Sequence, residues 1–186
     1  MKKLIFAAAM ITSMAAAAQK PMQVQSLIKE SHQLNSGGHI GGHSRIAIPI
    51  TLPPKTVAVF YTVQVAKRQM PSFIDLAAQI ASALRASQIR TVANLLALAT
   101  HVTGTVGDGV CDVMVFGDAA GAQLYVDQKK ANTAYPDACR VNFSNGTVGI
   151  PIEKNFLGTT PLYIDVRNPS AMQAITVSIE VTAVVQ

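Results

Sequence analysis

The stretch Val57-Ala58-Val59-Phe60-Tyr61-Thr62-Val63-Gln64-Val65-Ala66 decides the fold class. Val57, Val59, Tyr61, Val63 and Val65 share one face, and Ala58, Phe60, Thr62, Gln64 and Ala66 share the other. Two-residue alternation of β-branched and aromatic side chains over this length does not fit a helix. Just upstream, Ile46, Ile48 and Ile50 alternate in the same way before the Leu52-Pro53-Pro54-Lys55 turn signal. The chain is therefore read from here outward as a β protein.

Downstream of Pro71 the period changes. Ser72 and Asp75 form a capping-box-like start with Ser72 as N-cap, and Phe73, Ala77, Ile80 and Leu84 then line one helical face. The stripe breaks at Ser87 and Gln88 and restarts with Ile89, Val92, Leu95, Leu96 and Ala99. This predicts two helices, or one kinked helix, at about 72–100. Strand-like segments return at Val110 to Phe116 and Ala122 to Asp127. Arg140 to Ser144 and Thr147 to Ile152 flank Asn145-Gly146, a strong hairpin signal. Such a turn would set Phe143 opposite Val148 and Val141 opposite Ile150. Two further strands follow, one built on Leu162, Ile164 and Val166, the other on Ile175, Val177, Ile179 and Val181. Seven or eight short strands with Gly, Pro and Asn punctuation predict a mostly β fold, an antiparallel β-sandwich or jelly roll. The helical insertion would plug one end or cover one face.

The first 18 residues set the expected compartment. Lys2 and Lys3 precede an uncharged run from Leu4 to Ala18, and Ala16-Ala17-Ala18 offers small residues for cleavage before Gln19. This is the pattern of a secretory signal peptide. The run is shorter than the roughly 20 residues that a spanning helix needs, so no stable membrane span is expected after cleavage. Residues 19–44 read as a flexible N-terminal segment, because four glycines fall between Gly37 and Gly42. Residues 45–186 then form the sandwich domain. Lys2 and Lys3 account for two of the fifteen basic residues, which leaves thirteen against ten acidic groups. The longest basic groupings, Lys67-Arg68 and Lys129-Lys130, do not make a phosphate-tracking stripe, so nucleic acid is not an expected partner.

Several segments resemble small exported bacterial β-sandwiches of the pre-peptidase C-terminal kind. They are Leu52-Pro53-Pro54 leading into Val59-Phe60-Tyr61, the strand Asp112-Val113-Met114-Val115-Phe116, and Pro161-Leu162-Tyr163-Ile164 before a final Val/Ile-rich strand. Such domains are non-catalytic accessories of secreted proteins. The resemblance implies binding or structural work.

Candidate chemistry is sparse. In an exported setting Cys111 and Cys139 are expected to form a disulfide, worth roughly 3–4 kcal/mol on the chain-entropy model. A reactive thiol or metal pair is the alternative. His32, His39 and His43 lie close in sequence, and His39 and His43 have four-residue spacing, so a weak Zn²⁺ site is a candidate there. Asp108, Asp112 and Asp118 could gather at a loop edge around Ca²⁺, although Asp-Gly turn chemistry explains them too. His101 falls at the end of the second helix, where the helix dipole favours a partly charged imidazole. The Gly104-to-Gly109 run follows a helix and precedes a strand, the reverse of a phosphate-binding loop. There is no Gly-x-Ser-x-Gly elbow and no Trp for a sugar platform. No catalytic residues are assigned. The expected function is an exported non-catalytic sandwich, secreted or periplasmic, that binds or supports another extracytoplasmic or cell-envelope component. The alternatives are a small secreted hydrolase around His101 and the Asp108-to-Asp118 loop, or a metal-binding periplasmic protein using the histidine segment.

Overall fold

The computed structural model describes residues 21–38, 42–68, 70–87, 89, 91–104, 107–128, 135–152 and 161–186. The expected leader and its expected cleavage point before Gln19 lie outside the described residues. The strands are β1 (Gln23–Leu34), β2 (Arg45–Ile50), β3 (Thr56–Ala66), β4 (Cys111–Phe116), β5 (Arg140–Phe143), β6 (Asn145–Pro151), β7 (Leu162–Arg167) and β8 (Ile175–Val185). One sheet has the order β1-β8-β3-β6 and the other β2-β7-β4-β5, with every pairing antiparallel. The pairs β1–β8, β2–β7, β3–β6 and β4–β5 are nested. The chain is therefore one long hairpin rolled across two sheets, a jelly roll.

Alternation along the strands builds the sandwich core. Val59, Tyr61, Val63 and Val65 of β3 meet Ile175, Val177, Ile179 and Val181 of β8, and across the gap they face Val113, Val115, Leu162, Ile164 and Val166. The other face of the first sheet is not solvated. Ala58 and Phe60 of β3 and Val184 of β8 form a second core with Leu76, Ile80, Leu95 and Leu98. Those last four come from the insertion between β3 and β4: α1 (Leu76–Ser87), the short α2 (Val92–Leu95) and a 3₁₀ turn over Leu96–His101. The insertion covers a face and does not plug an end. Its existence agrees with the helical periodicity, but its start does not. Ser72 does not cap α1, and the buried positions are Leu76 and Ile80, with Phe73 left 37% exposed under the Lys29 ammonium. The N-terminus of α1 is instead held from another strand. The buried carboxylate of Glu180 on β8 accepts hydrogen bonds from the amides of Ile74 (2.5 Å) and Leu76 (3.0 Å).

Three other expectations are corrected. The segment 19–44 is not a flexible lead-in throughout, because β1 runs for twelve residues along β8. Its far end is pinned by the buried Asn168, whose side-chain amide donates to the carbonyls of Leu34, Asn35 and Gln173. Ala122 to Asp127 is not a strand: α3 spans Ala119–Val126, and Asp118 caps it by accepting from the Gly121 amide at 2.7 Å. Asn145-Gly146 does not close a hairpin. β5 pairs with β4 and β6 pairs with β3, so the chain crosses between sheets at Ser144, and Val148 lies opposite Tyr61 rather than Phe143. Gly146 has φ +137°, and a Cβ there would sit 2.9 Å from the Phe143 ring, so the crossover needs a glycine.

Candidate functional site

The outward residues of β7 are Tyr163, Asp165 and Arg167. The register sets Asp165 between Ala47 of β2 and Met114 of β4, and Arg167 between Arg45 and Asp112. On an open sheet this face would be wet. Here α3 packs across β2, β4 and β7, so the polar groups beneath it are enclosed. Arg45 stacks its guanidinium 4.7 Å from the Tyr125 ring centroid and donates to the Tyr125 carbonyl at 2.6 Å. The same ring packs at a tilt against Phe116, 5.8 Å between centroids. Arg167 forms an ion pair with Asp112, its Nε 2.8 Å from Oδ2, and Oδ1 of Asp112 accepts from the Asn142 amide at 3.0 Å.

Two members of this cluster are unsatisfied. Asp165 is 0% exposed, and neither carboxylate oxygen has a hydrogen-bond partner among the described residues. The Tyr125 hydroxyl is likewise buried and unpartnered there. Burial pushes the Asp165 carboxyl up to about 7. Burial also raises the Tyr125 hydroxyl to about 12, with Arg167 and Arg45 pulling down and Asp112 and Asp165 pushing up. A buried acid without a donor favours its neutral form because a charge there has lost its water.

The residues singled out in the sequence are dispersed. Asp108 is exposed and accepts from the Lys67 amide at 2.7 Å, Asp112 is buried in its ion pair, and Asp118 is a helix cap. His43 is exposed, and His39 lies outside the described residues. Among the described residues no group of three His, Cys, Asp or Glu side chains gathers to hold Zn²⁺ or Ca²⁺.

The disulfide expectation is corrected, since Cys111 and Cys139 are both free thiols. Cys111 pairs with Phe143 and Val113 with Arg140, so Cys139 continues past Val113, away from Cys111. That register sets Cys139 about three residues along the ladder from Cys111, so the α-carbons are roughly 11 Å apart, beyond the usual span of a disulfide. Cys139 Sγ contacts the Tyr135 carbonyl at 3.4 Å. Burial, reinforced by the Asp112 charge, pushes the Cys111 thiol up to about 12. Tyr61 reaches this region from β3 and donates its hydroxyl to the Ala138 carbonyl, and burial raises that hydroxyl well above an ordinary phenol.

His101 lies in different surroundings. It is exposed at the end of the 3₁₀ turn and lines an open groove of about 520 Å³ with Gln79, Ser82, Ala83, Ala86 and Ser87. Gln79 is held by the Thr103 amide and the Ile74 carbonyl, and the Ser87 hydroxyl donates to the Ala83 carbonyl at 2.6 Å. These bonds brace the insertion.

The Asp165 cluster escaped the sequence reading because its strand looks half-polar, the mark of a solvated face. Only recognition of α3 as a helix, from Asp118 followed by Ala119-Ala120, could have warned that this face is covered. The fold and site together define a jelly-roll sandwich with both outer sheet faces covered by helices. Comparison with protein-family models and with curated proteins gave no match.

Proposed function

We propose that the protein is an exported, non-catalytic β-sandwich that binds or structurally supports another periplasmic or cell-surface component. The supporting observation is the exposure of apolar residues in three connections at the same end of the strands. Met70 follows β3, Val110 precedes β4 and Met172 lies between β7 and β8, and these three points share one end. Met172 is 94% exposed and Met70 73%. Apolar exposure of this kind is a feature of surfaces that meet partners. The accessory role implied by the resemblance to pre-peptidase C-terminal sandwiches points the same way.

The test is cross-linking in the native envelope with the wild-type chain and a Met70→Ser/Met172→Ser variant. The reading expects a discrete adduct that the variant loses while keeping its melting temperature. An adduct pattern unchanged in the variant refutes use of this end. A secreted hydrolase is the second reading, favoured by the groove that exposes His101. Turnover in a broad hydrolase panel, abolished by His101→Ala, would replace the first reading with the second.

A further inference from the structure

We infer that α3 is a pH-responsive cover on the second sheet, held down while Asp165 is protonated and loosened when it ionises. Asp165 is on the sheet face that α3 packs against, fully buried, with neither oxygen hydrogen-bonded among the described residues. Ala47 of β2 and Met114 of β4 flank it directly. The charged groups of the same face stand one row along, Arg45 on β2, Asp112 on β4 and Arg167 on β7, with Tyr163 one row the other way and Tyr125 coming from α3. Asp118 sits at the cap of α3, engaged with Gly121. Both arginines already have other partners in the closed layer. Arg45 is held by the Tyr125 ring and carbonyl, and Arg167 by Asp112.

Ionisation therefore creates a buried negative charge beside the unpartnered Tyr125 hydroxyl. In the closed layer the Tyr125 hydroxyl makes no hydrogen bond to Asp165, so relief comes from water, which enters when α3 lifts. The helix is suited to this: it is eight residues long, and Leu124 on it is already 38% exposed. A raised carboxyl pKa in the closed state gives the direction. The closed form binds the proton near pH 7, whereas the hydrated open form releases it near the ordinary value of about 4. Opening is thus favoured as pH rises from about 4 to about 7 and levels off above that.

Hydrogen exchange of the full chain, corrected for intrinsic rates, tests this. The α3 amides should exchange by a local route faster than those of β3 and β8. Their opening equilibrium should rise roughly tenfold per pH unit between pH 5 and 6.5 and flatten above pH 7.5. In Asp165→Asn it should be nearly flat. Carboxyl NMR titration of the wild-type protein gives a readout that survives if the variant does not fold, and Asp165 should titrate near pH 7. The inference is overturned if Asp165 titrates near 4, as it would if Arg45 swung over to pair with it. It is equally overturned if α3 exchanges only together with β3 and β8, or if Asp165→Asn keeps the wild-type pH dependence.

Discussion

The carboxylate of Glu180 joins the helical insertion to the sheet it covers, so its removal should undock the start of α1. Glu180 is 5% exposed and accepts from two amides, Ile74 at 2.5 Å and Leu76 at 3.0 Å. Hydrogen bonds to a charged acceptor contribute roughly 1.5–3 kcal/mol each, and an unsatisfied buried amide carries its own desolvation cost. Negative charge beside a helix N-terminus adds a smaller favourable term. Glu180→Ala should therefore cost about 3–4 kcal/mol. Glu180→Gln, which keeps one acceptor oxygen and turns a donor toward the second amide, should cost about 2 kcal/mol. In a chain of this size each kcal/mol shifts the melting temperature by roughly 2–4 °C, so Glu180→Ala should melt about 10 °C lower. Urea unfolding gives the free energies, and hydrogen exchange localises the effect, with the Leu76 amide losing protection before the amides of β3 and β8. If both variants lie within about 1 kcal/mol of wild type and Leu76 stays protected, the cross-element cap is not what holds α1.

The second core predicts that Phe60→Ala costs about 3–5 kcal/mol by urea unfolding, because its ring is fully buried between β3 and the insertion. Met172→Ser, 94% exposed, should stay within about 0.5 kcal/mol in the same assay. Gly146→Ala should cost about 2 kcal/mol or more, since it combines φ +137° with a contact 2.9 Å from the Phe143 ring; a neutral melting temperature would show that the crossover can relax. Two thiols should react in denaturant without a reductant. In the native protein half-buried Cys139 should label ahead of Cys111, whose thiol burial raises to about 12, and failure of both to react in denaturant would reinstate the disulfide.

The legible parts of the fold were those where one periodicity held over many residues. β3, β7 and β8 show two-residue alternation because one face of each meets the sandwich core, and their inner sets are those expected from sequence. The insertion was visible as a change to helical period. β1 was not visible: as an edge strand paired, among the described residues, with β8 alone, with a bulge between Ser26 and Ile28, it has no fully buried face to impose alternation. α3 was misread because its apolar residues also suit a short strand, and Asn145-Gly146 because a turn-compatible dipeptide serves equally where the chain changes sheets.

Local pattern by itself determined that this chain is a β-sandwich carrying a helical insertion, since burial of one strand face acts on every second residue. Tertiary structure decided the nesting of the strands into a jelly roll, the separation of Cys111 from Cys139, and the joining of Glu180 to α1. It also decided that the polar face of β7 lies under α3, which makes Asp165 a buried acid instead of a solvated one. Each of these depends on residues far apart in the chain being brought together, and no local periodicity records which distant element will cover a given face.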